Sequence, residues 1–310
     1  MLSTLRRSRE GLRLGPGGLS PDDRGWCSFE MTVRRFAIAI GIFATMILLM
    51  ALFERSLIFF PTRYPDGLWD TEAAARGTGC VIDDHFFSAR DGTRLHGWWC
   101  RRLESNPDDP VLLFFHGNAG NLSHRAELLI ELASRTPASV FVVGYRGYGR
   151  SDGRPNETGL FLDARAAWTH LTNEMGVGTD RIIIFGKSLG GAVAVDLALE
   201  APAAGLIVES SFTSIPDMAR AHYPFVPKFL VRTQMNSVVK VPMISIPKLF
   251  IHSQSDKVVP YRLGRELFDA AAEPKRFHEV VGASHNDTWL VGGKAYFEAL
   301  SQFISNSTKR

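Results

Sequence analysis

From residue 110 onward the chain alternates two patterns. Short unbroken apolar runs, PVLLFFHG (110–117), SVFVVGY (139–145), RIIIFG (181–186), GLIVES (205–210) and PKLFIHS (247–253), suit strands buried on both faces of a parallel sheet. Between and after them, apolar residues recur every three or four positions at 122–134, 158–174, 188–200, 214–236, 261–272 and 290–305, which predicts helices. Residues 81–101 read as a hairpin turning at Arg90-Asp91-Gly92, an antiparallel edge to the sheet. The alternation implies one α/β domain over 81–306, a mostly parallel, doubly wound sheet with helices on both faces. Only the stretch between 212 and 246 is long enough to hold a lid.

A different pattern precedes this domain. Phe36–Phe53, FAIAIGIFATMILLMALF, carries no charge over 18 residues. As a helix it spans about 27 Å, near the thickness of a hydrocarbon core. The run is longer than the apolar part of a cleaved signal and has no good small-x-small site after it, so an uncleaved transmembrane anchor is expected. Arg34-Arg35 just before it put the N-terminus in the cytoplasm and the following domain outside, against a modest counterweight from Arg55 and Arg63. Residues 1–35 are read as a disordered basic segment and 54–80 as a linker. Met31, directly before the anchor, is a candidate start.

Charge sharpens this division. Residues 1–35 hold seven arginines and four acids, which accounts for the whole net charge of +3 and leaves the rest balanced. A neutral body argues against nucleic-acid binding. Neither His-Glu-x-x-His nor Cys-x-x-Cys occurs, and no metal or other cofactor is expected. Cys80 and Cys100 sit nearly symmetrically about the hairpin turn. They either bond across it in an oxidising compartment or stay free and half-buried.

The candidate chemistry begins in RIIIFGKSLGGA (181–192). Gly186-Lys187-Ser188 is the tail of a phosphate loop, but the glycine such a loop needs five residues earlier is Arg181, and the intervening Ile182-Ile183-Ile184-Phe185 read as strand. Gly186-x-Ser188-x-Gly190 instead fits a turn between strand and helix that presents a serine nucleophile. Its partners should follow in the order acid, then histidine. Asp256 in IHSQSDKVVP and His285 in VVGASHND each come after a strand. Glu209 is a rival acid, Asp287 is read as a helix cap, and His116 as structural. Two backbone N–H groups should stabilise an oxyanion, those of Leu189 and Asn118, the latter in the small-residue loop GNAGN. Tyr223, Phe225 and Phe229 either line an apolar acyl site or pack their segment onto the core.

With these residues in place, LLFFHGNAGN, VVGYRGYGRSDG, FGKSLGGAVA, ESSFTS, HYPF and GASHND resemble the membrane-anchored α/β-hydrolases of the bud-emergence type over about 81–305. The resemblance implies the α/β-hydrolase fold, a serine hydrolase with Ser188, Asp256 and His285 as triad, and an N-terminal anchor. Some members remove palmitate from proteins. Ser253 departs from the family pattern, which has glycine there. The expectation is a membrane-anchored esterase or thioesterase acting through an acyl-enzyme, its substrate an apolar acyl ester or thioester of a lipid or lipidated protein. A peptidase or amidase of the same fold and a non-catalytic membrane-tethered scaffold are the alternatives.

Overall fold

The computed structural model describes residues 21–308 and divides into two units, Met1–Leu52 and Phe53–Arg310. Of the segment expected to be disordered, 1–20 lie outside the described residues, whereas 21–35 are helical: a single helix runs Pro21–Leu52. Proline suits a first helical position and acids such as Asp22 and Asp23 suit a first turn, signals that the basic composition of the segment obscures. Within this helix Met31–Leu52 has a mean hydropathy of 2.2 and none of its apolar window is buried. By length and composition it can cross a membrane, as a single-pass anchor or as a signal sequence.

The second unit is built on eight strands: β1 (Cys80–Ser88), β2 (Arg94–Arg102), β3 (Val111–Phe115), β4 (Ser139–Gly144), β5 (Ile182–Lys187), β6 (Gly205–Glu209), β7 (Lys248–His252) and β8 (Lys275–Glu279). Their order in the sheet is β8-β7-β6-β5-β3-β4-β2-β1. The pairs from β4 to β8 are parallel, and the β1–β2 hairpin adds antiparallel at one edge. This is the α/β-hydrolase fold. β8, KRFHE, is polar and only partly buried because it closes the other edge with a single neighbour.

The apolar runs are continuous because each strand feeds two cores. Leu113, Phe115, Phe141, Ile182 and Ile184 pack with the helices Glu157–Thr169, Leu189–Leu197 and Tyr261–Ala270. Leu112, Phe114, Val140, Ile183 and Phe185 pack with Ala126–Arg135 and Thr288–Thr308 on the other face.

Three expectations change. The helix read over 214–236 is only Ile215–His222: Pro224 and Pro227 lack the N–H groups that would continue it. Residues 54–80 are not a linker. They form helices Glu54–Ile58 and Thr71–Ala75 and a short Phe60–Pro61 strand parallel to Ala119–Gly120, with Phe59 buried in the core. Cys80 and Cys100 are free, and both are fully buried rather than half-buried. Cys80 pairs with Arg102 and Cys100 with Ile82, so the two thiols are diagonal neighbours rather than directly opposed.

Candidate active site

The expected triad and oxyanion residues follow the carboxyl ends of parallel strands, the edge of the sheet where such folds build their sites. β5 ends at Lys187 and a helix begins at Leu189, leaving Ser188 alone at the bend with φ 55° and ψ −120°. A side chain in that region is strained. The surroundings hold it there: Ser188 N–H donates to Glu209 O (2.8 Å), and Ser188 O accepts from Gly191 N (2.9 Å) and the Ser211 hydroxyl (2.9 Å). The flanking glycines are sterically required. A Cβ at Gly186 would collide with the Gly190 carbonyl, and one at Gly190 with the Phe115 carbonyl. Gly117 lies against the serine, its Cβ position 3.5 Å from Ser188 Cβ and 4.0 Å from Oγ. The loop after β3 therefore borders the hydroxyl.

Asp256 follows β7. Its Oδ1 accepts the N–H groups of Val258 (2.8 Å) and Val259 (2.9 Å), the turn-starting role that a lone aspartate there would have. Its Oδ2 sits 2.7 Å from His285 Nδ1 and 3.4 Å from His252 Nε2. Burial alone would raise the carboxyl pKa. Hydrogen bonds from His252 and His285, the His285 charge and the Val259 N–H outweigh it and hold Asp256 well below the usual carboxylate range. The structure thus brings Asp256 and His285 together. Among the described residues no hydrogen bond joins the Ser188 hydroxyl to the ring, an open resting geometry that catalytic groups often show without substrate.

Ser253, where the sequence resemblance leads to the expectation of glycine, is fully buried. Its hydroxyl donates to Ala283 O (2.6 Å) and accepts Ser255 N–H (3.1 Å), tying the Asp256 loop to the His285 loop. Asp287 accepts Ser284 N–H (2.6 Å) and braces the same turn.

The rival acid is otherwise engaged. Glu209 Oε1 pairs with Lys187 Nζ (2.7 Å) and accepts from Thr288, while Oε2 accepts from Tyr296 (2.7 Å). The lysine that suggested a phosphate loop is thus one half of a buried ion pair behind the bend. His116 is fully buried. Burial first, then the Arg125 charge, pushes its pKa down to about 3 against a hydrogen bond with Gly117 O, so it is neutral near pH 7.

Asn118 is held from three directions. Its carbonyl accepts Phe60 N–H (3.0 Å) and Tyr148 OH (2.7 Å), and its amide donates to Ile58 O (3.0 Å). Leu189 opens its helix, so its N–H has no acceptor within that helix. The three aromatics are neither packed on the core nor gathered into one pocket. Tyr223 (46% exposed) and Phe225 (45%) meet edge-on with centroids 6.2 Å apart. Phe229 (84% exposed) instead lines a groove of about 390 Å³ with Ser214, Asp217, Lys228 and Gln234. His222 donates to Val258 O (2.9 Å), which keeps Tyr223 beside the Asp256 loop.

Sequence reasoning missed His252, the Lys187–Glu209 pair and the role of 54–68. For the last, a signal existed in LIFFP, an apolar stretch that continues past the end of the transmembrane-like run.

The fold and site define the class as an α/β hydrolase, and comparison with known proteins gives the family. Residues 106–241 match the family model described as serine aminopeptidase, S33, a span that includes Ser188 and stops before Asp256. An uncharacterised protein of Mycobacterium tuberculosis is 39% identical over 82% of this chain and 88% of its own length. Protein bem46 of Schizosaccharomyces pombe is 30% identical over 82% of this chain and 87% of its own. An esterase of Pyrococcus furiosus shares the fold, with a TM-score of 0.65 over 80% of this chain and 98% of that one at 19% identity. The chain belongs to the bud-emergence-type α/β hydrolases.

Proposed function

We propose that the protein is a membrane-anchored serine hydrolase that cleaves carboxylic esters or thioesters of apolar acyl groups. Ser188 Oγ attacks the acyl carbonyl as His285 Nε2 takes its proton. Asp256 holds the ring by Nδ1 and stabilises the imidazolium. The N–H groups of Asn118 and Leu189 bind the oxyanion. His285 then protonates the departing alkoxide or thiolate, leaving an acyl ester on Ser188 that water, deprotonated by the same ring, hydrolyses. No step needs a metal or organic cofactor.

One observation supports the reading most: a carboxylate 2.7 Å from an imidazole beyond the carboxyl ends of β7 and β8, at the same sheet edge as a strained, 7%-exposed serine that follows β5. A serine that merely capped a helix would have no reason to sit at positive φ between two sterically obligatory glycines.

The apolar run 36–53 anchors the enzyme, with the N-terminus cytoplasmic by the Arg34-Arg35 bias, and this favours lipid or lipidated-protein substrates. Retention of the helix in the mature chain, read by intact mass, separates an anchor from a cleaved signal. Protection of the C-terminal domain from external protease in sealed cytoplasmic-side-out vesicles checks the orientation.

The deciding experiment is labelling by a fluorophosphonate, beside Ser188→Ala, with hydrolysis of esters and thioesters of graded acyl length. Loss of Ser188 should remove the label and lower the turnover rate by about 10⁴–10⁶. Equal labelling of the variant would refute the assignment of the nucleophile. The matching family model is described as an aminopeptidase, so a peptidase is the second reading. Faster turnover of an amide than of the corresponding ester would favour it.

A further inference from the structure

Asn118 is anchored less by its own loop than by the segment that follows the apolar helix. From residue 58 onward that segment runs alongside 118–121. Ile58 O receives the Asn118 side-chain amide (3.0 Å), and Phe60 N–H donates to Asn118 O (3.0 Å). Phe60 and Pro61 pair with Ala119 and Gly120, and Thr62 N–H donates to Gly120 O (3.0 Å). Fully buried Asn121 returns the contact, its amide donating to Thr62 O (3.3 Å) and Asp66 O (2.8 Å). Leu68 N–H donates to Ser123 Oγ (3.0 Å). The same segment also grips the region after β6, since the Glu54 carboxylate accepts Thr233 N–H (2.7 Å).

We propose that residues 54–68 are a positioning strap for the oxyanion loop, with the Phe60 N–H and the Ile58 carbonyl setting where the Asn118 N–H points. The inference rests on the reading of Asn118 as an oxyanion donor. The loop is otherwise poorly suited to hold itself: it is rich in glycine and alanine, and Gly120 sits at φ 82°. Without the strap the Gly120 carbonyl would lose its Thr62 donor, and the Asn118 carbonyl would keep only the Tyr148 hydroxyl. An oxyanion donor must be in place before charge develops, because reorganising it during the reaction forfeits most of its effect. A displacement of about 1 Å can cost about 10²-fold in rate.

Toward the loop the strap itself contributes backbone groups, so the informative change removes one backbone N–H. In the full-length protein, Phe60→Pro deletes the donor to Asn118 O. Phe59 before it is already extended (φ −110°, ψ 122°), as a residue preceding proline prefers. Turnover is expected to fall about 10–100-fold, with KM within about threefold of wild type. Affinity for a trifluoromethyl ketone, which mimics the tetrahedral oxyanion, should fall by the same factor while the melting temperature holds. Phe60→Ala, which keeps the N–H, should recover most of that loss. Asn118→Ala, which keeps the backbone donor but cuts its tie to Ile58, should shift kcat and ketone affinity in the same direction. It also decides the matter if Phe60→Pro does not fold. Unchanged kcat and ketone affinity in the folded variants would overturn the strap, as would a loss that follows the melting temperature alone. Fluorophosphonate labelling lost in Ser188→Ala tests the underlying reading separately. If that labelling persists, the active-site assignment fails, whatever the strap variants do.

Discussion

Two buried carboxylates stand at the ends of neighbouring strands, Glu209 closing β6 and Asp256 four residues beyond β7. Both stay ionised although burial opposes it, and the means differ. Glu209 is answered by a full cation, Lys187, and its remaining capacity is filled by Thr288 and Tyr296. Asp256 is answered by two backbone N–H groups and two imidazoles. Lys187, Thr288 and Tyr296 together engage both oxygens of the first carboxylate, which braces the fold. An imidazole can gain and lose a proton, so the second can serve a reaction. On the proposed mechanism, what distinguishes the bracing acid from the working one is whether its partner exchanges a proton.

Replacing each acid by its amide should separate those roles, and the larger effect falls on Asp256. Asp256→Asn keeps the shape but offers His285 a donor as readily as an acceptor, which favours the wrong tautomer. By analogy with other triads the turnover rate should fall by about 10⁴. Circular dichroism and thermal melting should show the fold retained, since the oxygen of the new amide can still accept from Val258 and Val259. A rate within about tenfold of wild type would mean that another group orients the ring.

Glu209→Gln should invert the balance, with modest loss of rate and a large loss of stability. Lys187 would be left buried without its counter-charge, an arrangement that costs about 3–5 kcal/mol. Denaturant unfolding measures it, and Lys187→Met combined with Glu209→Gln should restore much of the loss because the charge goes with its partner. The acid limb of stability carries the same signature. Both carboxyls are held below their ordinary values, so the unfolded chain takes up their protons first as pH falls. Their contribution is complete above about pH 5 and is lost as pH drops through the ordinary carboxylate range toward the native values. Glu209→Gln and Asp256→Asn should each flatten that limb by one proton per molecule. His116 adds a gentler slope at higher pH. Held neutral with a pKa of about 3, it favours the folded state less and less as pH falls below about 6.5.

The two acids also differ in how far the sequence exposes them. The serine bend is legible because strand, glycines, nucleophile and helix occupy twelve consecutive residues whose spacing is itself the steric requirement. Asp256 is legible because the acid–histidine order and the strand endings limit the choice. Glu209 could not be demoted from sequence, because what occupies it, Thr288 and Tyr296, lies 79 and 87 positions away. The strap is hidden for another reason. Its bonds are made by backbone groups of residues with no periodicity, so 54–80 look like a linker. The helix read over 214–236 shows the converse error, an apolar spacing overruled by two prolines. The helical start at Pro21 is masked because composition, not capping, governs the reading of that segment.

The smallest effect is expected at Ser253, in the loop that carries Asp256. Ser253 adds a second tie between the Asp256 and His285 loops, through Ala283 O, which a glycine there would lack. Ser253→Gly removes that bond and the one from Ser255 N–H. Each is worth about 1 kcal/mol, less any relaxation by water at this buried position. Stability should therefore fall by about 1–2 kcal/mol in denaturant. Turnover should fall only a few-fold, since the 2.7 Å contact between Asp256 and His285 is direct and does not pass through Ser253. KM should not move. Turnover reduced about a hundredfold or more would show that the partner of Asp256 is held in register by the serine bridge. The distinction between the two acids would then lie in how their loops are tied together, more than in which group each one faces.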